Sequence, residues 1–279
     1  MSGPVIKLEN VSWAYAREKD WALANITMTI EEGEFVAVMG ENGAGKTTFC
    51  RLLNGLIPHS LAGKLLGTVT VDGILTASST VAQLAKKTGM AFDDPGAQLF
   101  TARVYDEVAF ALENLLLPPE EIREKVRWAL DFAGLTAYAD YAPATLSGGQ
   151  KQRLVIAAAL AMANKVLVLD EPASQLDPCG AREVLSLISD IRVRQGLTVV
   201  MAANSGEEAA EFADKVCVLK NGSLAAYDIP ERVFAGQEHG NIPQVSEFAC
   251  RMIALGEPLP RFPVNTEEAV QAVLDWYNG

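Results

Sequence analysis

Short apolar runs bounded by turn residues mark the strands of this chain. EFVAVMG at 34–40, KVLVLDEP at 165–172 and LTVVMAA at 197–203 are nearly continuous apolar stretches, which is typical of strands buried on both faces. A segment with helical spacing, AREVLSLISDIRV at 181–193, separates the last two. Alternation of strand, helix and strand predicts an α/β fold with a parallel or mixed sheet.

Other patterns complete the outline of the first domain. Strands are expected at 5–9 and 26–30, and the alternating stretch GTVTVDG at 67–73 predicts a strand that ends in an Asp-Gly turn. A helix is expected from Lys46 to about Gly55, directly after the strand at 34–40.

The helical period dominates from Phe92 to about Ala163 and returns near the carboxyl end. Within RVYDEVAFALENLLL, the apolar positions fall three or four residues apart: Val104, Val108, Leu112 and Leu115. Two amphipathic helices separated by a proline-rich link are expected after about Phe234. We therefore predict one domain over 1–235 with a helical subdomain at about 93–163, and a C-terminal helical appendage over 236–279.

Composition narrows the class of protein. The formal net charge is −12, which argues against a nucleic-acid surface because such surfaces are basic. The four cysteines form no C-x-x-C pair, so we expect reduced thiols rather than a metal site or a disulfide. No apolar run approaches the roughly 20 residues of a membrane-spanning helix, and the N-terminus lacks a signal pattern. A cytoplasmic chain is expected.

The most specific local motif is GENGAGKT at 40–47, which fits the phosphate-loop pattern and lies between a predicted strand and a predicted helix. Backbone N–H groups of such a loop hold phosphate oxygens. Lys46 is expected to reach the β- and γ-phosphates of ATP, and Thr47 to ligate Mg²⁺. The alternative is a plain glycine-rich turn, which the flanking strand and helix disfavour. The residues predicted to contact the nucleotide here are Gly40, Asn42, Gly43, Gly45, Lys46, Thr47 and Thr48.

Two acidic residues close the apolar strand at 165–172. Asp170 and Glu171 are expected at the carboxyl edge of the sheet, where ligands bind in open α/β folds. Asp170 is predicted to hold the metal ion and Glu171 to polarise the attacking water as a general base. Downstream of a phosphate loop, this pair predicts ATP hydrolysis.

With LSGGQ at 146–150 and SQLDP at 174–178, the order of motifs resembles the nucleotide-binding subunits of ABC transporters. The resemblance implies an ABC-type ATPase fold in which two subunits sandwich two nucleotides. It implies that a helix N-terminus faces the γ-phosphate bound by the partner, that Asp177 bridges the subunits and that Tyr15 stacks on adenine. The helix N-terminus carries Ser147, Gly148, Gly149 and Gln150.

A narrower resemblance covers almost the whole chain. YDEVAFALENLLLPPEEI at 105–122 and the C-terminal segment from about 242 are similar to the ATPase subunits of energy-coupling factor transporters. These importers take up vitamins or transition-metal ions. The resemblance implies three partners: a second ATPase in a homodimer or heterodimer, a transmembrane scaffold protein and a substrate-binding membrane protein. It places the chain at the cytoplasmic face of the membrane as a peripheral subunit.

Two positions depart from the family pattern. Asp93, in AFDDP, stands where a glutamine usually ligates the metal and senses the γ-phosphate; a carboxylate can still ligate Mg²⁺. Gln98 matches a separate position. Asn204 stands where the family has a histidine that contacts the γ-phosphate, and an amide cannot take up a proton near pH 7. The alternative for Asn204 is a cap for the following helix.

These departures leave three hypotheses. The first is an ATP-hydrolysing subunit of an energy-coupling factor importer whose own site is impaired, paired with a complete ATPase. The second is a nucleotide-binding regulatory partner that hydrolyses little ATP, and the retained Glu171 argues against it. The third is a soluble ABC ATPase acting on ribosomes or DNA. Such proteins usually need a second nucleotide domain or a long coiled-coil insertion, and this sequence shows neither.

Overall fold

A computed structural model describes residues 3–236 and 241–278 of the chain. The strands are β1 (Ile6–Tyr15), β2 (Leu23–Ile30), β3 (Phe35–Met39), β4 (Gly63–Val71), β5 (Ile74–Leu75), β6 (Thr88–Ala91), β7 (Val166–Asp170), β8 (Thr198–Ala202), β9 (Lys215–Lys220) and β10 (Ser223–Asp228). The helices are α1 (Lys46–Leu53), α2 (Leu56–His59), α3 (Val81–Ala85), α4 (Pro95–Gln98), α5 (Val104–Asn114), α6 (Pro119–Phe132), α7 (Gly148–Met162), α8 (Pro178–Gln195), α9 (Gly206–Phe212), α10 (Pro230–Ala235), α11 (Gln244–Ala254) and α12 (Thr266–Asn278).

The central sheet has six strands in the order β10-β9-β3-β8-β7-β6. All neighbours are parallel except β10, which pairs antiparallel with β9. The mixed α/β sheet is therefore confirmed. Every residue of β3, β7 and β8 is buried, as their continuous apolar sequences predict. Because these three strands are neighbours and parallel, the loops that follow them meet at one edge of the sheet.

The second sheet is antiparallel, in the order β2-β1-β4-β5. Its strands are longer than the sequence pattern indicates, because β1 continues to Tyr15, which pairs with Gly63. The register shifts between Glu9 and Ser12, and Asn10 there has φ 50°. This bulge interrupts the two-residue alternation, so the pattern predicts only the first half of the strand.

Helices cover both faces of the central sheet. Val36 and Val38 of β3 point toward a core shared with α1 and the antiparallel sheet. Phe35 lies on the opposite face, in a core with α7 and α8. Helices α5, α6 and α7 form a third core in which Val104, Val108 and Leu112 are fully buried. The predicted helix at 103–117 ends earlier, at Asn114, and Leu115 is its C-terminal cap.

The C-terminal helices are joined to the sheet by a shared core. Ile242 and Val264 pack in one cluster with Met39 of β3 and Val218 of β9. The described part of the 236–279 segment is thus anchored beneath the strand that carries the phosphate loop. Among the described residues, no helix is both long and apolar enough to cross a bilayer.

Candidate functional site

The phosphate loop joins β3 to α1 and needs glycine at two positions for different reasons. Gly40 has φ 148°, and a Cβ there would lie 2.3 Å from the Leu219 carbonyl oxygen. Gly45 has φ 107°, and its Cβ would lie 2.6 Å from the Ala22 carbonyl oxygen. Neighbouring backbone therefore leaves no room for side chains while the loop turns back on itself. The first N–H groups of α1 have no partner within the helix and are available to an anion.

Lys46 is almost fully buried at the base of this loop. Its Nζ donates a hydrogen bond to the Gly40 carbonyl oxygen over 3.0 Å and lies 3.7 Å from Glu171 Oε1. The structure thus brings the phosphate-loop lysine and the predicted general base together. A buried ammonium with a carboxylate and a loop carbonyl around it is placed to bind phosphate oxygens.

Thr47 and Asp170 meet at the same edge. Thr47 Oγ1 donates a hydrogen bond to Asp170 Oδ1 over 3.2 Å, while the buried Asp170 Oδ2 has no hydrogen-bond partner in the described structure. The pKa of Asp170 is raised to about 6, chiefly because the carboxyl is buried; the hydrogen bond from Thr47 opposes this shift, and the charges of Asp93 and Glu171 add to it. An unpaired carboxylate oxygen next to a hydroxyl suits a hard cation such as Mg²⁺, which prefers oxygen ligands.

Metal binding at this position would need more than protein ligands. Within residues 3–236 and 241–278, no cluster of three or more His, Cys, Asp or Glu side chains could hold a metal ion. Mg²⁺ in nucleotide sites typically uses one or two protein oxygens together with phosphates and waters. Thr47 and Asp170 therefore fit a cation that arrives with a nucleotide.

Glu171 has an unusual backbone conformation. Its φ is 50°, a left-handed value that costs a non-glycine residue about 1–3 kcal/mol. Its N–H donates to the Ala202 carbonyl, and its carbonyl accepts from the Ser174 N–H. These bonds hold the turn after β7 against β8, so the carboxylate stays at the sheet edge beside Lys46.

Asp93 is an exposed residue in the loop after β6. It is near enough to Asp170 for its negative charge to raise the pKa of that carboxyl. Gln98, by contrast, bonds the backbone of the same region. Its Oε1 accepts a hydrogen bond from the Phe92 N–H over 3.1 Å, and its Nε2 donates to the Met90 carbonyl over 3.4 Å. Gln98 therefore braces the loop from within, while Asp93 borders the predicted metal site.

Asn204 lies in the loop after β8, with its side chain exposed. The alternative interpretation as a helix cap is wrong for this residue, because Ser205 caps α9 by accepting from the Glu208 N–H. Both residue types are good caps, so the sequence could not decide between neighbours. The Asn204 carbonyl accepts a hydrogen bond from Asn241 Nδ2 over 2.7 Å. Asn241 was not predicted, and no local pattern marks a contact between residues so far apart in sequence.

The LSGGQ segment begins α7. Ser147 Oγ accepts from the Gln150 N–H over 3.3 Å, and Gln150 Oε1 accepts from the Ser147 N–H over 2.9 Å, which is a capping box. Gly148 is exposed and Gly149 half-buried. Among the described residues, no hydrogen bond joins this segment to the phosphate loop of the same chain.

Asp177 and Tyr15 are both engaged within the chain. Asp177 caps α8, where its Oδ1 accepts from the N–H groups of Cys179 and Gly180. The Tyr15 hydroxyl is 3.0 Å from Thr48 Oγ1, and its ring meets Trp13 edge to face. Tyr15 is thereby fixed beside the first turn of α1, next to the phosphate loop.

Comparisons with known proteins give relatives of this chain by sequence and by fold. The family model described as ABC transporter matches residues 23–174, more than half of the chain. Energy-coupling factor transporter ATP-binding protein EcfA1 of Symbiobacterium thermophilum is 38% identical over 292 residues, covering 100% of this chain and 99% of that protein. The structure of cbiO1 from Clostridium perfringens, described as part of the ABC transporter complex cbiONQ, matches with a TM-score of 0.75 and 33% identity, covering 91% of this chain and 98% of that one.

A third similar protein is a dimer. The ATP-binding cassette MJ0796, in a post-hydrolysis state bound to ADP and Pi, matches with a TM-score of 0.72 and 28% identity. The match covers 81% of this chain and 98% of that chain. That structure is therefore a two-chain assembly that holds the products of ATP hydrolysis.

Proposed function

We propose that this chain, which belongs to the ABC transporter family and is an ATPase of that family, drives an importer of the energy-coupling factor type as one of two ATPase subunits. The observation that carries this proposal is the meeting of Lys46 with Glu171 and of Thr47 with Asp170 at one sheet edge. Full-length similarity to an EcfA1 protein supports the class of importer. The cargo would be a vitamin or a transition-metal ion, chosen by a membrane partner.

In this function the phosphate loop binds the nucleotide. Loop N–H groups and the Lys46 ammonium hold the β- and γ-phosphates, and Tyr15 packs against adenine. Thr47 and Asp170 hold Mg²⁺, with Asp93 as a further oxygen at the border of the site. The metal ion would supply charge neutralisation for the phosphates. The buried Asp170 Oδ2, which has no partner among described residues, supports this assignment.

Glu171 then acts as general base. Its side chain is about one quarter exposed, so water can reach the carboxylate while Lys46 orients it. The strained φ of 50° fixes the carboxylate at the sheet edge rather than along the strand direction. A general base of this kind typically contributes about 10²–10⁴-fold to a rate.

The LSGGQ surface acts on the partner's nucleotide. The capping box uses the Ser147 and Gln150 side chains within the chain, but the N–H groups of Gly148 and Gly149 remain at an exposed helix N-terminus, which attracts phosphate. Asp177, the N-terminal cap of α8, would contact the partner subunit. Two chains therefore complete two sites, and ATP binding closes the dimer.

We further propose that this chain is the impaired half of a heterodimer. Asp93 adds a negative charge near the triphosphate, and Asn204 offers one neutral hydrogen bond, worth about 0.5–1.5 kcal/mol, in place of a charged one worth about 1.5–3 kcal/mol. The same two residues favour the second candidate, a regulatory subunit with little hydrolysis of its own. The retained Glu171 and Lys46 pair supports the first.

Contact with the membrane partners would go through the helical subdomain. Phe100 is 66% exposed and Phe110 45% exposed, and their rings meet edge to face at 4.9 Å. This pair, the coupling surface, consists of Phe100, which follows the loop of Asp93 and the short helix α4, and Phe110, which lies on α5. An exposed aromatic pair connected to the nucleotide site in this way suits a helix of the scaffold protein.

The test is purification of the tagged chain from its native membranes, followed by mass spectrometry and ATP-driven uptake in vesicles. A second ABC ATPase and a multi-span protein should co-purify, and Phe100→Asp should release the multi-span protein. Val193→Asp, which alters an exposed apolar residue on α8, should not. The isolated chain should not bind protein-free liposomes. If the chain purifies from its native membranes with neither a second ATPase nor a multi-span protein, and still hydrolyses ATP, the proposal is contradicted.

A further inference from the structure

The loop that carries Asn204 contacts the C-terminal segment at three points within four residues. Asn241 Nδ2 donates to the Asn204 carbonyl over 2.7 Å. At the next point, a Cβ on Gly206 would lie 2.2 Å from the Asn241 carbonyl oxygen, so the two backbones touch. One residue further, the Gln244 N–H donates to Glu207 Oε1 over 3.2 Å.

The C-terminal side of this contact is rigidly supported. Ile242, directly after Asn241, packs with Phe234, Phe262 and Val264 beneath the central sheet. Ser246 Oγ, fully buried, donates to the Pro263 carbonyl over 2.9 Å. Asn241 is therefore held by a core that includes β3, and its amide reaches the Asn204 loop from a fixed position.

Asn241 also borders the phosphate loop. A cavity of about 250 Å³ is lined by Asn241, by the loop from Gly40 to Ala44 and by the end of β9. The same residue donates its side-chain hydrogen bond to the Asn204 carbonyl. One exposed amide thus lies between the loop that binds phosphate and the loop proposed to sense it.

We infer that Asn241 is a positioning residue for ATP hydrolysis, which fixes the Asn204 loop through the Asn204 carbonyl and links the C-terminal helices to the nucleotide site. The inference rests on the proposed contact between the Asn204 side chain and the γ-phosphate. A movement of α11 would reach that side chain through two atoms, Asn241 Nδ2 and the Asn204 carbonyl oxygen. The C-terminal helices would then adjust γ-phosphate sensing without contacting nucleotide.

The test compares three variants of the full chain. Asn241→Ala removes the donor; Asn204→Ala removes the amide side chain but keeps the backbone carbonyl, so the bond from Asn241 survives. Gln244→Ala is the matched control, because Gln244 is exposed and contacts Glu207 only through its backbone. ATP and ADP affinities are measured by calorimetry on the isolated chain, and kcat and KM in an assembled complex whose partner site is disabled, so that hydrolysis reports on this chain's own site.

We expect Asn241→Ala to weaken ATP binding and lower kcat about two- to tenfold, the effect of one neutral hydrogen bond, with ADP affinity unchanged. Because Asn241 acts through Asn204, the Asn241→Ala substitution should have no further effect on ATP affinity or kcat in the Asn204→Ala background. Additive effects, an equal loss of ADP affinity, or a kcat equal to that of Gln244→Ala would overturn the inference. If Asn204→Ala itself leaves ATP affinity and kcat unchanged, the proposed sensor role fails, and the positioning role fails with it.

Discussion

The Nζ of Lys46 lies 3.7 Å from Oε1 of Glu171, across the edge of the central sheet where β3 and β7 end. One group is needed to bind phosphate and the other to activate water, so their ion pair places both functions around one point. Lys46 is almost completely buried, whereas the Glu171 side chain is partly exposed. The lysine is therefore oriented by the fold, and the carboxylate remains open to solvent.

Lys46→Ala should raise the dissociation constant for ATP at least tenfold. A hydrogen bond from a charged group contributes about 1.5–3 kcal/mol, and 1.4 kcal/mol corresponds to a factor of ten. Isothermal calorimetry on the purified chain measures this directly. Lys7→Ala, which removes an exposed lysine on β1, is the control and should bind ATP normally. Unchanged affinity in Lys46→Ala would refute the phosphate-loop assignment.

Asp170→Asn should make ATP binding insensitive to Mg²⁺. The variant keeps an oxygen that can accept the hydrogen bond from Thr47 but loses the negative charge that a divalent cation needs. ATP titrations in excess Mg²⁺ and in EDTA should therefore differ for the natural chain and coincide for the variant. Asp190→Asn, at an exposed position on α8, should retain the full Mg²⁺ effect. An undiminished Mg²⁺ effect in Asp170→Asn would remove that residue from the metal site.

The sequence predicts the site edge well because the physics there is local. A continuous apolar run as short as β7, rich in Val and followed by a Pro-containing turn, favours a buried strand over a helix, so Asp170 and Glu171 are expected at its carboxyl end. The phosphate loop follows from the same reasoning at β3. The second half of β1 was not predicted, because the extra residue in the bulge at Asn10 reverses the alternation of apolar and polar positions on which a strand prediction depends.

Contacts between segments distant in the chain could not be predicted from the sequence, for a different reason. Asn241 and Asn204 are separated by 37 positions, and neither lies in a periodic pattern that would bring them together. Their meeting depends on Ile242 and Val264 entering the core under β3. Burial of those side chains is a property of the folded chain and cannot be assigned from their local spacing.

Glu107→Ala should lower the free energy of unfolding by about 1–3 kcal/mol. Glu107 Oε2 accepts hydrogen bonds from the Phe100 N–H, the Thr101 N–H and the Thr101 hydroxyl, and the side chain is buried. Removing it leaves the N–H groups of Phe100 and Thr101 without this acceptor, whereas the Thr101 hydroxyl can still donate to the Arg103 carbonyl. Chemical denaturation measures the loss. Glu113→Ala, on the same helix but exposed, should change stability by less than about 0.5 kcal/mol.

Glu107→Ala should also weaken binding of the membrane scaffold protein to the coupling surface. Because Glu107 fixes the backbone of Phe100, its loss should release Phe100 from its position beside Phe110 on α5. Binding of the scaffold protein should then fall in Glu107→Ala and remain normal in Glu113→Ala. Equal stability and equal scaffold binding in the two variants would show that Glu107 fixes neither the loop nor the surface.

Asn204→His should raise ATP turnover at this chain's own site. A histidine can offer a charged donor to the γ-phosphate, where Asn204 offers only a neutral one. The gain should be larger together with Asp93→Gln, because both residues border the same phosphate and metal cluster and need not act additively. Single-turnover hydrolysis by a complex whose partner site is disabled measures this gain. A fall in turnover in both variants would mean that the natural residues are adapted to this site.

Two variants should separate the chain's own site from the site it completes on its partner. Glu171→Gln removes the general base from the own site, whereas Ser147→Arg places a bulky cation where the partner's γ-phosphate must dock. If the partner site does most of the hydrolysis, Ser147→Arg should abolish most ATPase activity of the assembled complex and Glu171→Gln should spare much of it. Because Ser147 also caps α7, Ser147→Ala is the control for the lost cap, which costs about 0.5–2 kcal/mol. Loss of a base from a dominant site would lower the rate about 10²–10⁴-fold, so a complex silenced by Glu171→Gln alone would show that this chain's own site is the dominant one.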